Sequence, residues 1–389
     1  HQAWVEARER SDYAAFLPFL QRNVELKLRY VECFDGYADP YDVLLDDYEE
    51  GMTSAEVDRL FAELRAALVP LIAAIAERAD AVDDAPLFGD FPVERQRVLV
   101  RRVLERLGWE EGGWRLDEAA HPFATSFGPG DVRLTTRYDA SYVGMALYGA
   151  IHEFGHGLYE SQVDPAFARS PLGEGVSLGV HESQSRLWEN VVGRGRPFVG
   201  YLHGQLRDAF PERFANVDAE QLYRAVNRVR PSLIRVEADE ATYGLHIILR
   251  FELEREMIAG AVALEELPEA WNVRMQEYLG VEVPDDANGV LQDVHWSGGD
   301  IGYFATYALG NLISAQLWER ARADLPDLDG ALAAGDGASL RAWLGDRVHR
   351  FGRSIPPREL VAQATGGPIA VQPFVEYLNA KLRPIYGLA

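Results

Sequence analysis

The 389-residue chain is expected to fold as a mainly α protein with one small β element. Three observations carry this expectation. Apolar residues recur at helical spacing through most of the chain, and helix-start and helix-stop residues bracket those segments. Only Asp131–Tyr138 (D-V-R-L-T-T-R-Y) alternates with enough β-branching to be a strand. No internal repeat, low-complexity segment or shift in composition divides the chain, so a single unit over residues 1–389 is simpler than two domains.

The segment Asp12–Val31 is periodic in apolar and charged residues and reads as a helix, followed by an acidic connection over Asp39–Gly51. Thr53 with Glu56 forms a capping-box pattern ahead of an amphipathic helix over Val57–Ala79. Pro92 opens a helix that runs to Leu107, with Gly108 as its stop. Gly128–Gly130 is a turn into the strand, and Asp139 is placed to cap the helix that follows. A second polar helix spans Val176–Val192, and Pro231 starts another that reaches Met257. Leu267–Leu279, Ile301–Asp324, Ser339–Arg350 and Val371–Arg383 read as helices, and Gly289–Gly299 as a polar loop.

Hydrophobic residues make up 48% of the chain and charged residues 25%, the balance of a globular protein. The longest apolar run, Ala66–Ala76, is too short to cross a membrane and contains Pro70. The net charge of −23 disfavours nucleic acid and anionic membrane as partners, and it obliges any anionic ligand to be captured by local cations. Cys33 is the only cysteine, which excludes an intrachain disulfide and fits a reducing cytoplasm.

Chemistry concentrates in Ile151–Glu160, I-H-E-F-G-H-G-L-Y-E. On a helix His152 and His156 share a face, and two neutral imidazoles on one face suit a zinc ion. Glu153 is offset by about 100° from the first imidazole, beside an ion and not on it, where a carboxylate can take a proton from an activated water. An ordinary polar helix face is the alternative. The preceding run Y-V-G-M-A-L-Y-G-A-I argues for a mostly buried helix, in which such groups need partners. A third ligand is needed, and Glu182 in H-E-S-Q is the candidate, with Glu160 and Glu174 as weaker competitors. Arg235, Asp239, Tyr243 and His246 form one stripe if their segment is helical, and a buried Arg235 would suit a carboxylate. In the Gly289 loop Gln292, Asp293 and His295 crowd beside Trp296, and Tyr303 follows. His295 or Tyr303 could serve an oxyanion, or each could be a hydrogen-bonded core residue. His121-Pro122-Phe123 and Asp131-x-Arg133-x-Thr135 form a further polar cluster whose role the residue chemistry does not assign.

Taken in order, H-P-F, D-x-R-x-T, H-E-x-x-H, H-E-S-Q, I-R-x-x-A-D and G-x-x-Q-D-x-H-W make the chain resemble the carboxypeptidase Taq family, the M32 metallocarboxypeptidases. The resemblance covers essentially the whole chain. It implies a zincin-type, neurolysin-like helical fold with a deep groove, and a cytosolic homodimer that removes C-terminal residues from peptides with broad specificity, using zinc or cobalt. By the motif match His152, His156 and Glu182 are the metal ligands and Glu153 the general base. Arg235 is then the clamp for a free C-terminus, with Arg133, His121 and Gln292 as further substrate-binding candidates, and Tyr303 and His295 assist catalysis. An endopeptidase with the same centre, or a metal-stabilised scaffold without activity, are the rival expectations. Family members are usually longer, so the resemblance also implies that an N-terminal helical region is missing here.

Overall fold

The structure is a computed structural model and describes residues 1–388. The chain forms two compact units, each assembled from two separated segments: His1–Ala79 with Val229–Ala308, and Asp80–Arg228 with Leu309–Gly387.

The first segment supplies α1 (Gln2–Arg10), α2 (Tyr13–Val31), α3 (Pro40–Asp46) and α4 (Ser54–Ala76). Asp12 caps α2 by accepting from the Ala15 amide, Asp39 caps α3 through Tyr41, and Thr53 caps α4 through Glu56. The acidic connection expected over Asp39–Gly51 is therefore helical at its centre. Its Tyr41, Val43, Leu44 and Leu45 are buried, and two of its acids, Asp42 and Glu49, are buried with them, Asp42 accepting from the Ser54 amide at the start of α4.

The second segment begins with α5 (Val93–Leu107), bounded by Pro92 and Gly108 as expected. Three strands follow: β1 (Trp114–Glu118), β2 (Ala124–Gly128) and β3 (Asp131–Thr136), in the order β1-β3-β2. β3 lies parallel to β1 and antiparallel to β2. Sequence patterning finds only β3, because the flanking strands are short, polar and part-exposed. Val132, Leu134 and Thr136 of β3 point inward while Arg133 points out, the period-2 pattern of a one-sided sheet.

Next come α6 (Val143–Ser161) and α7 (Leu178–Arg186), the latter running into a π-helical turn over Leu187–Val192. Asp139 does not cap α6. Its carboxylate accepts from the Ser141 amide and hydroxyl, closing a turn before the helix starts, and the capping position is Tyr142. Ser177 caps α7 by accepting from the Val180 amide. Three helices complete this segment: α8 (Arg196–Ala209), α9 (Pro211–Phe214) and α10 (Ala219–Val226).

The third segment holds α11 (Tyr243–Ala259), α12 (Leu267–Leu279) and the single turn α13 (His295–Gly298). The helix expected from Pro231 starts only at Tyr243. Asp239 accepts from the Ala241 and Thr242 amides and from the Thr242 hydroxyl, which fixes a non-helical turn at that point. Arg235 sits in a separate 3₁₀ turn, Arg235–Glu237, so the expected four-residue helical stripe does not form. α14 (Ala305–Asp324) likewise starts four residues later than expected. Gly302 has φ +97°, and its amide donates to Glu254. The last segment adds α15 (Leu328–Ala333), α16 (Ala338–Arg347), α17 (Pro357–Thr365) and α18 (Gln372–Tyr386). No helix among the described residues is long and apolar enough to cross a membrane.

In the first unit α4 and α11 pack through Phe61 and Phe251, whose rings meet edge-on at 5.1 Å, with Tyr41 of α3 against Phe251. In the second unit α6 is the central element, apolar around most of its circumference. Its Phe154 ring lies between Trp114 of the sheet and Trp188 of the π turn. Two glycines set the spacing. A Cβ on Gly157 would fall 2.7–2.9 Å from side chains of Val132, Leu134 and Trp114, so the sheet rests on that point. A Cβ on Gly155 would fall 2.5 Å from the Gln184 carbonyl oxygen and 2.6 Å from Ser185 Cα, so α6 and α7 touch backbone to backbone. Gly155→Ala should therefore cost on the order of 1–3 kcal/mol through enforced separation of the two helices. Gly200→Ala on α8, where a Cβ meets open space, should instead stabilise by about 1 kcal/mol through helix propensity. Calorimetric melts of the two variants check this, and equal midpoints would contradict the close approach.

Candidate metal centre

The contact at Gly155 brings three side chains together. His152 and His156 are one turn apart on α6, and their rings stand 4.9 Å apart at 79°. Glu182 enters from α7, its Oε2 3.3 Å from His156 Nε2 and 3.7 Å from His152 Nε2. Among the described residues this is the one group of three or more His, Cys, Asp or Glu donors found to converge, all within 4.8 Å of one another. Ligand atoms on a tetrahedral zinc with bonds of ~2.0–2.1 Å lie roughly 3.3 Å apart, so the spacing fits such an ion. Two imidazoles and one carboxylate also form a donor set that leaves a fourth position open.

Each member of the set is held from outside. His152 Nδ1 lies 2.9 Å from Glu189 Oε2 on the π turn. His156 Nδ1 lies 2.6 Å from His181 Nδ1, and His181 Nε2 lies 2.8 Å from Glu160 Oε1. Arg186 Nε donates to Glu182 Oε1 at 2.7 Å, and the Ser185 hydroxyl donates to Oε2 at 2.9 Å. Glu189 is held in turn by Arg186 and Arg194. With Nδ1 committed outward on both ligand candidates, both Nε2 atoms face Glu182.

The electrostatics follow from burial and neighbours. Burial pushes the Glu153 carboxyl up to about 7, with the Glu182 charge adding to the effect and His152 opposing it. Burial favours the neutral form of His156 and lowers it to about 4. His152 is equally desolvated, but Glu182, Glu189 and Glu153 surround it and raise it above the ordinary imidazole value. Burial would raise Glu182 and Glu189, yet Arg186 and His152 hold the former, and Arg194 with His152 the latter, below the usual carboxylate range.

The remaining candidates fall in two other places. In the first unit Arg235 is 6% exposed. Its Nε and Nη2 both reach Asp293 Oδ1, at 2.9 and 2.8 Å, and Nη1 donates to the Tyr243 hydroxyl at 3.0 Å. Arg250, fully buried, takes the other oxygen of Asp293. Burial works against the Arg235 charge, but Asp293 overrides it and raises the guanidinium above its usual value. Gln292 is a brace: it accepts from the Arg235 amide and donates to the Leu233 and Asn288 carbonyls. His295 opens α13, its Nε2 3.2 Å from the Tyr307 hydroxyl, and its ring faces Tyr303 at 5.2 Å. Tyr303 precedes α14 and packs edge-on against Tyr48.

In the second unit the β2–β3 pair joins the H-P-F and D-x-R-x-T segments. Thr135 exchanges hydrogen bonds with the Phe123 backbone, while His121 is exposed. Arg133 grips Asp131 with two 2.8 Å hydrogen bonds and lies over the Phe127 ring on the outer face.

Sequence reasoning did not find Glu189, Arg186 or Arg194. The signal was present in Glu182, Arg186 and Glu189, which fall at helical spacing, but such charges usually mark a solvated face. Glu160, weighed as a ligand, holds His181. Glu174 is exposed and lies 3.4 Å from Arg353, so it is not part of the cluster.

Comparison with known proteins gives a consistent result. The profile of the family described as carboxypeptidase Taq (M32) metallopeptidase matches residues 1–382. Carboxypeptidase 1 of Bacillus subtilis is 41% identical over 384 residues, which is 99% of this chain and 77% of that protein. Thermostable carboxypeptidase 1 of Thermus thermophilus is 42% identical over 393 residues, again 99% and 77%. The crystal structure of the M32 carboxypeptidase from Deinococcus radiodurans R1 matches with a TM-score of 0.97 at 46% identity, over 99% of this chain and 78% of that one.

Proposed function

Because the chain belongs to the carboxypeptidase Taq (M32) metallopeptidases, we propose that α6 and α7 carry its catalytic centre, with His152, His156 and Glu182 as metal ligands and Glu153 as general base. The protein is a metallocarboxypeptidase, a peptide hydrolase. The observation that supports the ligand set is the convergence of two Nε2 atoms and Glu182 Oε2 between the helices, with every other polar atom of the three engaged outward. Nitrogen and oxygen donors in this number suit zinc, with cobalt as the alternative.

A divalent ion there supplies Lewis acidity, acidifying a water and polarising the scissile carbonyl. The chain's residues do the rest. Glu153, a buried carboxylate beside the two imidazoles, accepts the water proton and delivers it to the departing amine. Tyr303 and His295 are assigned to donate to the oxyanion, on the strength of their motifs. Arg235 is assigned to the substrate's terminal carboxylate, which would share the guanidinium with Asp293 and Tyr243. The reading extends to a cytoplasmic homodimer, tested by light scattering against the 43.4 kDa monomer mass.

Glu182→Ala should lose bound metal and activity together. Full metal occupancy with full activity would remove Glu182 from the ligand set. Glu153→Gln should retain the metal yet lose turnover by about 10²–10⁴-fold, and near-normal turnover of the metal-loaded variant would sink the proposed base. Amidating the substrate's C-terminus should depress kcat/KM strongly in the parent enzyme and much less in Arg235→Ala. An equal penalty in both would transfer the clamp to another cation, Arg133 first.

A further inference from the structure

Two links connect a proposed ligand to Glu160, a carboxylate outside the converging group of His152, His156 and Glu182. His156 Nδ1 meets His181 Nδ1 at 2.6 Å, and His181 Nε2 meets Glu160 Oε1 at 2.8 Å. The directions of these bonds follow from what each atom can do. An ionised carboxylate only accepts, so His181 Nε2 carries a hydrogen. In a neutral His181 ring Nδ1 is then an acceptor, and the hydrogen in the 2.6 Å contact belongs to His156. His156 Nε2 is left with its lone pair, facing Glu182 Oε2 at 3.3 Å. His181 thus dictates which nitrogen of His156 can bind an ion.

The helical placement makes this a closed circuit. His156 and Glu160 are one turn apart on α6, and His181 and Glu182 are neighbours on α7. α6 therefore supplies two ligands, His152 and His156, and the relay member Glu160, and α7 supplies the ligand Glu182 and the relay member His181. The His181 ring is fixed by more than its two hydrogen bonds. Tyr159 lies against it at 5.3 Å, and a Cβ on Gly175 would come within 2.7 Å of its Cδ2, so the chain closes over the ring. His152 is served differently, by direct contact with Glu189. The two imidazoles are thus supported by separate carboxylates, and only that of His156 acts through an intermediate ring.

We propose that His181 is a positioning residue that, with Glu160 behind it, fixes the tautomer and orientation of His156 and so sets the metal affinity of the centre. The proposal rests on the assignment of His156 as a ligand. Loss of such outer support typically weakens metal binding by about 10–100-fold.

The test measures Zn²⁺ affinity by competition with a chelator on metal-depleted protein, together with the visible spectrum of the Co²⁺-loaded form. His181→Phe, which fills the space without a hydrogen bond, should bind Zn²⁺ about 10–100-fold more weakly and shift the Co²⁺ bands. His181→Gln, whose amide oxygen can accept from His156, should recover part of the loss. Glu160→Gln keeps an acceptor without its charge and should weaken binding by a smaller factor. Parent-like affinity and spectrum in a folded His181→Phe would overturn the proposal. If that variant does not fold, Glu160→Gln decides alone, and unchanged affinity there overturns it. His156→Ala separates the two levels. Unchanged affinity in that variant would remove His156 from the ligand set itself, whereas lost affinity with intact binding in the His181 and Glu160 variants would remove only the relay.

Discussion

The candidate centre depends on one contact: the backbone of α6 against the backbone of α7 at Gly155. A Cβ at that position would lie 2.5 Å from the Gln184 carbonyl oxygen, and the helices would have to part by about 1 Å to relieve it. Ligand atoms 3.3 and 3.7 Å apart do not survive such a shift. The same approach recurs on the other side of α7, where a Cβ on Gly310 of α14 would fall 2.8 Å from Glu182 Cβ and Cγ. Glu182 is thus carried on a stretch of α7 that is confined between two glycine contacts, and it touches the second of them itself. Its carboxylate direction is set by backbone packing as well as by Arg186 and Ser185. Placing the site on packed helices, and not on loops, gives it the rigidity that metal coordination geometry needs.

The second constraint is the cost of buried charge. A chain with net charge −23 places Glu153, Glu182 and Glu189 together in its interior. Desolvating carboxylates is expensive unless cations accompany them, and Arg186 and Arg194 do so here. Among the described residues Glu153 has no comparable arginine contact, and it is the one whose carboxyl rises toward neutrality. The environment therefore separates three carboxylates into two held ionised and one free to exchange a proton, a division that suits a ligand, a brace and a base. The first unit has its own buried ionic knot, in which Asp293 neutralises part of the charge of Arg235 and Arg250. Removing Asp293 would leave two buried guanidinium groups without a counterion, so the knot is structural whatever else Arg235 does.

The π-helical turn after α7 belongs to the same design. Leu187–Val192 widens the helix where Trp188 must pack against Phe154 and where Glu189 must reach His152. π turns are uncommon and cluster at functional sites, and this one carries the partner of a proposed ligand. Its six residues look like ordinary helix in the sequence, because nothing in local propensity distinguishes hydrogen bonds that span four residues from those that span five.

What the sequence determined by itself was whatever depends on neighbours along the chain. The shared face of His152 and His156, the bounds of α5 and α12 and the alternation of β3 all follow from spacing and capping within a few residues. The six motifs added the family, and with it the pairing of α6 with Glu182. The rest had to come from tertiary structure, because it depends on which distant groups meet. Asp139 and Asp239 both carry the right side chain for a helix cap, yet each closes a turn instead. β1 and β2 become strands because β3 offers them hydrogen-bonding edges, not because their own residues favour it. Nothing in the spacing marks His181 and Glu189 as partners of the two imidazoles, or turns Glu160 from a competing ligand into the partner of His181, until α6 and α7 are brought into contact. A side chain's role in this centre is set by the partner it is buried against, and only the packing of the two helices chooses that partner.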